Sequence, residues 1–249
     1  MALLSVESVV KRFGGVVAND HIDLSIGEGE IVGLIGPNGA GKTTLFNCVA
    51  GYLRPDAGTI RFAGRNITGW PPHRTSRAGI ARTFQIVKMM ESLSVEENVM
   101  VGAFSRTDDP EEARMQAREI LDLVGLSRAR QVYPSQLPLA IQKRVELARA
   151  LATRPRLLML DESAAGLSPE EVDVFTQLLR HIHREMRLTL LVIEHVMEFV
   201  MGLSDRVVVL ASGRTIAEGR PDEITRNVQV IEAYLGEKYA RRAGNPGSL

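Results

Sequence analysis

The residues best placed to do chemistry lie in a few short segments. Gly36 to Thr43 read GPNGAGKT and fit the pattern G-x-x-x-x-G-K-[ST]. Glycines in such a loop let backbone N–H groups converge on phosphate oxygens. A helix N-terminus behind the loop adds a dipole that favours anions. Lys42 would bring a positive charge to the β- and γ-phosphates, and the Thr43 hydroxyl would serve a Mg²⁺ ion. The expected nucleotide contacts are therefore Gly36, Pro37, Asn38, Gly39, Ala40, Gly41, Lys42, Thr43 and Thr44.

A second segment, LLMLDE (157–162), is an apolar run ending in two carboxylates. Asp161 is expected to hold Mg²⁺ through water. Glu162 is expected to polarise or orient an attacking water as a general base. A third, VIEHV (192–196), ends another apolar run at His195, which is suited to hydrogen-bond a γ-phosphate and register its loss. Gln85 in ARTFQ lies between a core and a helical region, a place for a hinge that touches Mg²⁺. Phe13, in an early loop, is positioned for stacking on adenine. His181 and His183 are two apart on a predicted helix and point to different sides, so they are not read as a metal pair.

The elements that must position these groups follow from periodicity. Residues 3–10 and 21–25 read as short strands joined by a turn at Gly14-Gly15. EIVGLIG (30–36) reads as a buried strand feeding the glycine loop, KTTLFNCVAGYL as the helix after it, and GTIRFAG (58–64) as a strand. From Met89 to Thr153 the pattern turns helical. Ser94 with Glu97 makes a capping box, and QKRVELARALA is amphipathic. LLML and LTLLVIE read as strands, with a helix capped by Ser168 between them. DRVVVLASGRTIAEG reads as a hairpin about Ser212-Gly213. Two short helices, near 221–226 and 228–235, close the fold. The expected organisation is one domain over 1–249. A nucleotide-binding core comprises 1–88 and 154–235, a helical subdomain occupies 89–153, and 236–249 form a frayed tail.

Composition narrows the class. The chain has 249 residues, 45% hydrophobic and 24% charged, with thirty basic residues against thirty acidic. That balance lacks the basic footprint of a nucleic-acid binder. The single cysteine, Cys48, excludes an internal disulfide and sits in a sequence suited to a small buried side chain. No window approaches the ~18 apolar residues of a membrane span, and the start does not read as a signal peptide. The expectation is a soluble chain that meets a membrane only through a partner.

Taken as an ordered set, these motifs resemble the ATP-binding cassette ATPases over nearly the whole chain. FGGVVA, GPNGAGKTTLFN, GIARTFQ, LSVEENVMVGA, AAGLSP and IEHVMEFVMGLSDRVVVL look most like the ATPases of branched-chain, hydrophobic amino acid uptake systems. The resemblance implies an α/β phosphate-loop core with an antiparallel β-subdomain and an inserted helical subdomain. It implies ATP and Mg²⁺ as ligands and hydrolysis of ATP to ADP and phosphate. It also implies a peripheral place on the cytoplasmic face of a bacterial inner membrane. The implied partners are transmembrane permease subunits, a second ATPase subunit and a periplasmic solute-binding protein. Two cassettes would hold two ATP molecules at a head-to-tail interface, the signature loop of each facing the other's phosphate loop.

The signature loop is where this chain departs from the family. The usual L-S-G-G-Q aligns with Leu137-Pro138-Leu139-Ala140-Ile141. The serine hydroxyl is gone and both glycines carry side chains, while the helix N-terminus survives. Milder departures are Ser163, Val196 and the segment Ala165-Gly166-Leu167-Ser168. Three readings of the loop are open: it works anyway through its backbone and helix dipole, it is the poor half of an asymmetric pair, or the chain binds ATP without hydrolysing it, which Glu162 and His195 argue against. Because the loop acts in trans, the favoured expectation, with the first reading close behind, is a different sibling ATPase that supplies an intact signature to this chain. The degenerate Pro138, Leu139, Ala140 and Ile141 would then face the sibling's site. Coupling to export, for example of a lipid, a regulatory cassette with weak hydrolysis, and a soluble cassette acting on DNA or ribosomes are the competing classes.

Overall fold

The structure, a computed structural model, describes residues 2–83 and 89–235. Gln85 and the tail at 236–249 lie outside the described residues. In chain order the elements are β1 (Ala2–Phe13), β2 (Val16–Gly27), β3 (Ile31–Ile35), α1 (Lys42–Ala50), β4 (Ala57–Phe62), β5 (Arg65–Asn66), α2 (Pro72–Ala78) and β6 (Ile80–Arg82). Then follow α3 (Val95–Ala103), α4 (Pro110–Leu123), α5 (Leu139–Ala152), β7 (Leu157–Asp161), α6 (Pro169–Met186), β8 (Thr189–Ile193) and α7 (Met197–Leu203). The chain closes with β9 (Arg206–Ala211), β10 (Arg214–Gly219), α8 (Pro221–Ile224) and α9 (Val228–Leu235). They fall into two compact units, Met1–Trp70 with Val200–Leu249, and Pro71–Phe199.

The first unit contains an antiparallel sheet of order β2-β1-β4-β5. Leu4 pairs with Ile26 on one side and Phe62 on the other, and Val6 with Leu24 and Ile60, so one face is apolar and buried. Burying each of these side chains contributes about 1.5–3 kcal/mol. Both strands of the first hairpin run to twelve residues, longer than 3–10 and 21–25. Register shifts between Val6 and Val9 and again between Val9 and Lys11 break the alternation that would have revealed their length. In the same unit β3 pairs parallel to β9, and β9 turns into β10 at Ser212 and Gly213, both left-handed, as a two-residue hairpin requires.

In the second unit β6, β7 and β8 are parallel and in register from Leu157 opposite Thr189 to Asp161 opposite Ile193. β7 and β8 are buried at every position, which is why both read as unbroken apolar runs. α3, α4 and α5 pack on one another. Gly102 allows the closest approach, since a Cβ there would stand 2.1 Å from the Arg149 carbonyl oxygen of α5. The expected capping box is present, Ser94 Oγ accepting from Glu97 N–H, and the expected Ser168 cap is a box as well, its Oγ accepting from Glu171 N–H, each at 3.3 Å. Ser168 thus caps α6 in the segment that departs from the family pattern. β5, α2 and β6 had no sequence signal; each is short, and β6 has only three residues.

Candidate functional site

The phosphate loop belongs to the first unit. β3, buried throughout, delivers the chain to Gly36, and α1 starts at Lys42. A Cβ on Gly36 would stand 2.1 Å from the Leu210 carbonyl oxygen, and one on Gly41 would stand 2.2 Å from that of Ala18. Gly41 also has φ +99°, which side chains rarely adopt, and its carbonyl accepts a 3.0 Å hydrogen bond from Asn19 Nδ2. The loop is therefore wedged between backbones and held from below by a fully buried asparagine. Gly41→Ala should cost about 2 kcal/mol or more in strain and displaced backbone. We expect a melting temperature lower by about 4–8 °C and weaker ATP binding, read by calorimetry on the purified chain.

Within the loop, the Lys42 ammonium donates to the carbonyls of Gly36 at 2.6 Å and Pro37 at 3.1 Å, which arches the chain around it. Lys42 and Ala40 are buried, Asn38, Gly39 and Thr43 are exposed, and Pro37 and Thr44 are half-buried. No side chain caps α1 and no acid lies in its first turn, so its leading N–H groups and positive dipole end are left for an anion. Phe13 ends β1 exposed, with the Lys11 ammonium 5.5 Å from its ring centre. Cys48 is buried on α1, and burial pushes its thiol up to about 11, out of the reactive range.

The carboxylates and the histidine belong to the second unit. Asp161 ends β7 at 4% exposure. Burial raises its pKa; the Arg82 guanidinium, 2.7 Å from Oδ2, opposes that shift. Its N–H reaches Thr83 Oγ1 at 3.3 Å, and that hydroxyl lies 3.0 Å from Ser163 Oγ. A hydroxyl at 163 therefore has a partner that a proline would lack. Arg82→Ala would strip a buried carboxylate of this ion pair and should cost about 3–5 kcal/mol. Chemical denaturation would show the loss, and Arg82→Lys should recover part of it.

Glu162 follows in the left-handed region, φ +50°, where a non-glycine residue carries about 1–3 kcal/mol of strain. Its N–H donates to the Ile193 carbonyl at 2.8 Å, so β8 holds the strained turn. The same turn brings Glu162 Oε1 to 2.7 Å from His195 Nε2. These two residues, 33 apart in sequence, meet at the ends of neighbouring parallel strands, where ligands of α/β sheets bind. Glu194, just before the histidine, is buried and accepts hydrogen bonds from the N–H groups of Ala164 and His195.

Pro138 is the N-cap residue of α5, with no side-chain cap. Pro138 and Leu139 are exposed, and Ala140 and Ile141 are half-exposed. Gln142 Nε2 donates to the carbonyls of Leu137 at 2.9 Å and Pro134 at 3.2 Å, which fixes the entry to the helix. The loop is thus a well-formed helix start that offers backbone and apolar surface but no hydroxyl. Sequence reasoning missed Arg82, Asn19 and Glu194. The only signal for Glu194 was a charge interrupting the junction of an apolar strand with the histidine; Arg82 and Asn19 carried none.

Comparison with known proteins agrees with this architecture. The family model described as ABC transporter matches residues 19–165, and one described as branched-chain amino acid ATP-binding cassette transporter matches 214–240. The chain is 41% identical to the high-affinity branched-chain amino acid transport ATP-binding protein LivG of Salmonella typhimurium, over 94% of this chain and 98% of LivG. It is 40% identical, with the same coverage, to the protein of that description named BraF in Pseudomonas aeruginosa. Among solved structures, the ADP conformation of MJ1267, an ATP-binding cassette of an ABC transporter, superposes with TM-score 0.87 at 31% identity, covering 95% of this chain and 100% of that one. A dimeric post-hydrolysis state of the ATP-binding cassette MJ0796, bound to ADP and phosphate, superposes with TM-score 0.77 at 26% identity, covering 88% and 98%. The chain belongs to the ABC transporter family, among the ATP-binding proteins of branched-chain amino acid transport.

Proposed function

We propose that this chain binds and hydrolyses ATP to power uptake of branched-chain or related hydrophobic amino acids through a membrane permease. The observation that carries the hydrolytic reading is the 2.7 Å contact between Glu162 Oε1 and His195 Nε2. The solute class is supported by the likeness to LivG and BraF and by the match over 214–240. No helix among the described residues is long and apolar enough to cross a membrane, which suits a subunit docked on a permease at the cytoplasmic face.

In this reading the phosphate loop and the α1 N-terminus hold the triphosphate, with Lys42 against its terminal phosphates. Glu162 orients the attacking water and takes its proton. His195 Nε2 meets the Glu162 carboxylate in this structure, and its N–H is the donor that would turn toward the γ-phosphate when ATP is bound. Phe13 stacks on adenine. Asp161 and the Thr43 hydroxyl are hard oxygen donors, the chemistry Mg²⁺ selects, and the Gln85 carboxamide oxygen is a donor of the same class. Mg²⁺, when bound, supplies charge neutralisation of the phosphates.

The signature loop bears on the second ATPase; the permease and the solute-binding protein are inferred from the likeness to LivG and BraF. Pro138 to Ile141 lack the serine hydroxyl, and losing one hydrogen bond to a charged phosphate costs about 1.5–3 kcal/mol. We assign this chain to an asymmetric pair with a different ATPase, alongside permease subunits and an extracytoplasmic solute-binding protein. Restoring serine and glycine with Pro138→Ser, Leu139→Gly and Ala140→Gly should raise turnover only at the site built on the sibling's phosphate loop. Full, cooperative hydrolysis by this chain alone would refute the asymmetric assembly.

A further inference from the structure

Glu194 lies at the end of an apolar strand and is 1% exposed. A buried carboxylate must have its lone pairs satisfied by the protein. Its two oxygens serve two separate stretches of backbone: Oε1 accepts from the Ala164 N–H at 2.6 Å and Oε2 from the His195 N–H at 3.3 Å. Ala164 stands two residues beyond Glu162, and His195 is the residue that touches Glu162. One carboxylate therefore grips the chain on both sides of the Glu162–His195 pair.

The nearest cationic influence comes from α5. Lys143 is 5% exposed; burial lowers its pKa, and the Glu194, Glu146 and Glu162 carboxylates oppose that shift. Lys143 sits five residues after Pro138, on the helix that begins at the signature loop. The turn beyond Ala164 touches the same helix start, because a Cβ on Gly166 would meet Leu139 Cδ2 at 3.2 Å.

We propose that Glu194 is a positioning residue for hydrolysis: its carboxylate fixes the backbone on either side of the Glu162–His195 pair. The inference rests on the roles given above to Glu162 and His195. Only a carboxylate can accept at both oxygens; a carboxamide would turn its NH₂ toward one of the two N–H donors.

Burial pushes Glu194 up to about 7, against the pull of the Ala164 and His195 N–H groups and of Lys143, with Glu162 adding to the rise. The charged and titratable groups acting on it are Lys143 from α5, Glu162 after β7, and His195 next in the chain; Glu146 of α5 acts in turn on Lys143. The form that grips both N–H groups is present above about pH 7 and is lost as pH falls through that value.

The test is steady-state ATPase of the assembled transporter across the pH range, for wild type, Glu194→Gln and Lys143→Met. Wild type should lose turnover as pH falls through about 7. Glu194→Gln should turn over about tenfold slower or worse at alkaline pH, with KM for ATP changed less than about threefold. It should also lose that acidic limb and behave at every pH like acidified wild type. Lys143→Met, which leaves Glu194 in place, should move the limb to higher pH. A Glu194→Gln enzyme with wild-type kcat and pH profile overturns the inference. If that variant does not fold, an unmoved limb in Lys143→Met overturns it instead. Absence of hydrolysis by the wild-type assembly would overturn the functional reading as well, so the two failures are distinguishable.

Discussion

Glu162→Gln should lower ATP turnover by about 10²–10⁴-fold while ATP still binds. The substitution keeps the size of the side chain and a group for His195 Nε2 to meet, so the 2.7 Å contact geometry is largely retained. What goes is the base. An amide cannot take a proton from water, and general-base contributions are of that order. The strain at Glu162, φ +50°, stays with the backbone, so the loss should fall on kcat. Phosphate release by the assembled transporter checks the first half. Calorimetric titration of the isolated variant with ATP checks the second, and its affinity should lie within a few-fold of wild type. Unchanged turnover would mean that the chain is a regulatory binder and that Glu162 only closes the end of β7.

Lys42→Met should act on the other half of the reaction, by weakening ATP binding about 10- to 100-fold. Lys42 is nearly buried, with its ammonium held by the Gly36 and Pro37 carbonyls. A charge-assisted hydrogen bond to a phosphate is worth about 1.5–3 kcal/mol, and each 1.4 kcal/mol is tenfold in affinity. Methionine is unbranched and of similar size without the charge, so the fold should survive and the defect should lie in binding. Fluorescent-nucleotide titration of the isolated chain separates this from Glu162→Gln, in which binding persists and turnover stops. Comparable affinity in both variants would place the phosphates elsewhere than at α1.

Much of this was legible in the sequence because the chemistry is local. The phosphate loop must be glycine-rich where the Leu210 and Ala18 carbonyls press on it, and those glycines stand in one run of eight residues. β3, β7 and β8 are buried along their whole length, so each shows as an apolar run ending at a functional group. The Ser94 and Ser168 caps are written in four consecutive residues each. What stayed hidden is long-range. Arg82 meets Asp161 across 79 residues and Ala164 meets Glu194 across 30, and no spacing rule reports either contact. β6 is too short to show a period, and register shifts concealed half of the first hairpin.

The central claim, that ATP hydrolysis by this chain drives solute inward, is tested most directly by uptake of radiolabelled leucine. The assay would use proteoliposomes carrying the permease, both ATPases and the binding protein, with ATP on this chain's side. Uptake should require ATP, track phosphate release, and fall at least about 100-fold with Glu162→Gln in this chain alone. ATP-dependent uptake that persists undiminished in that variant would contradict the account.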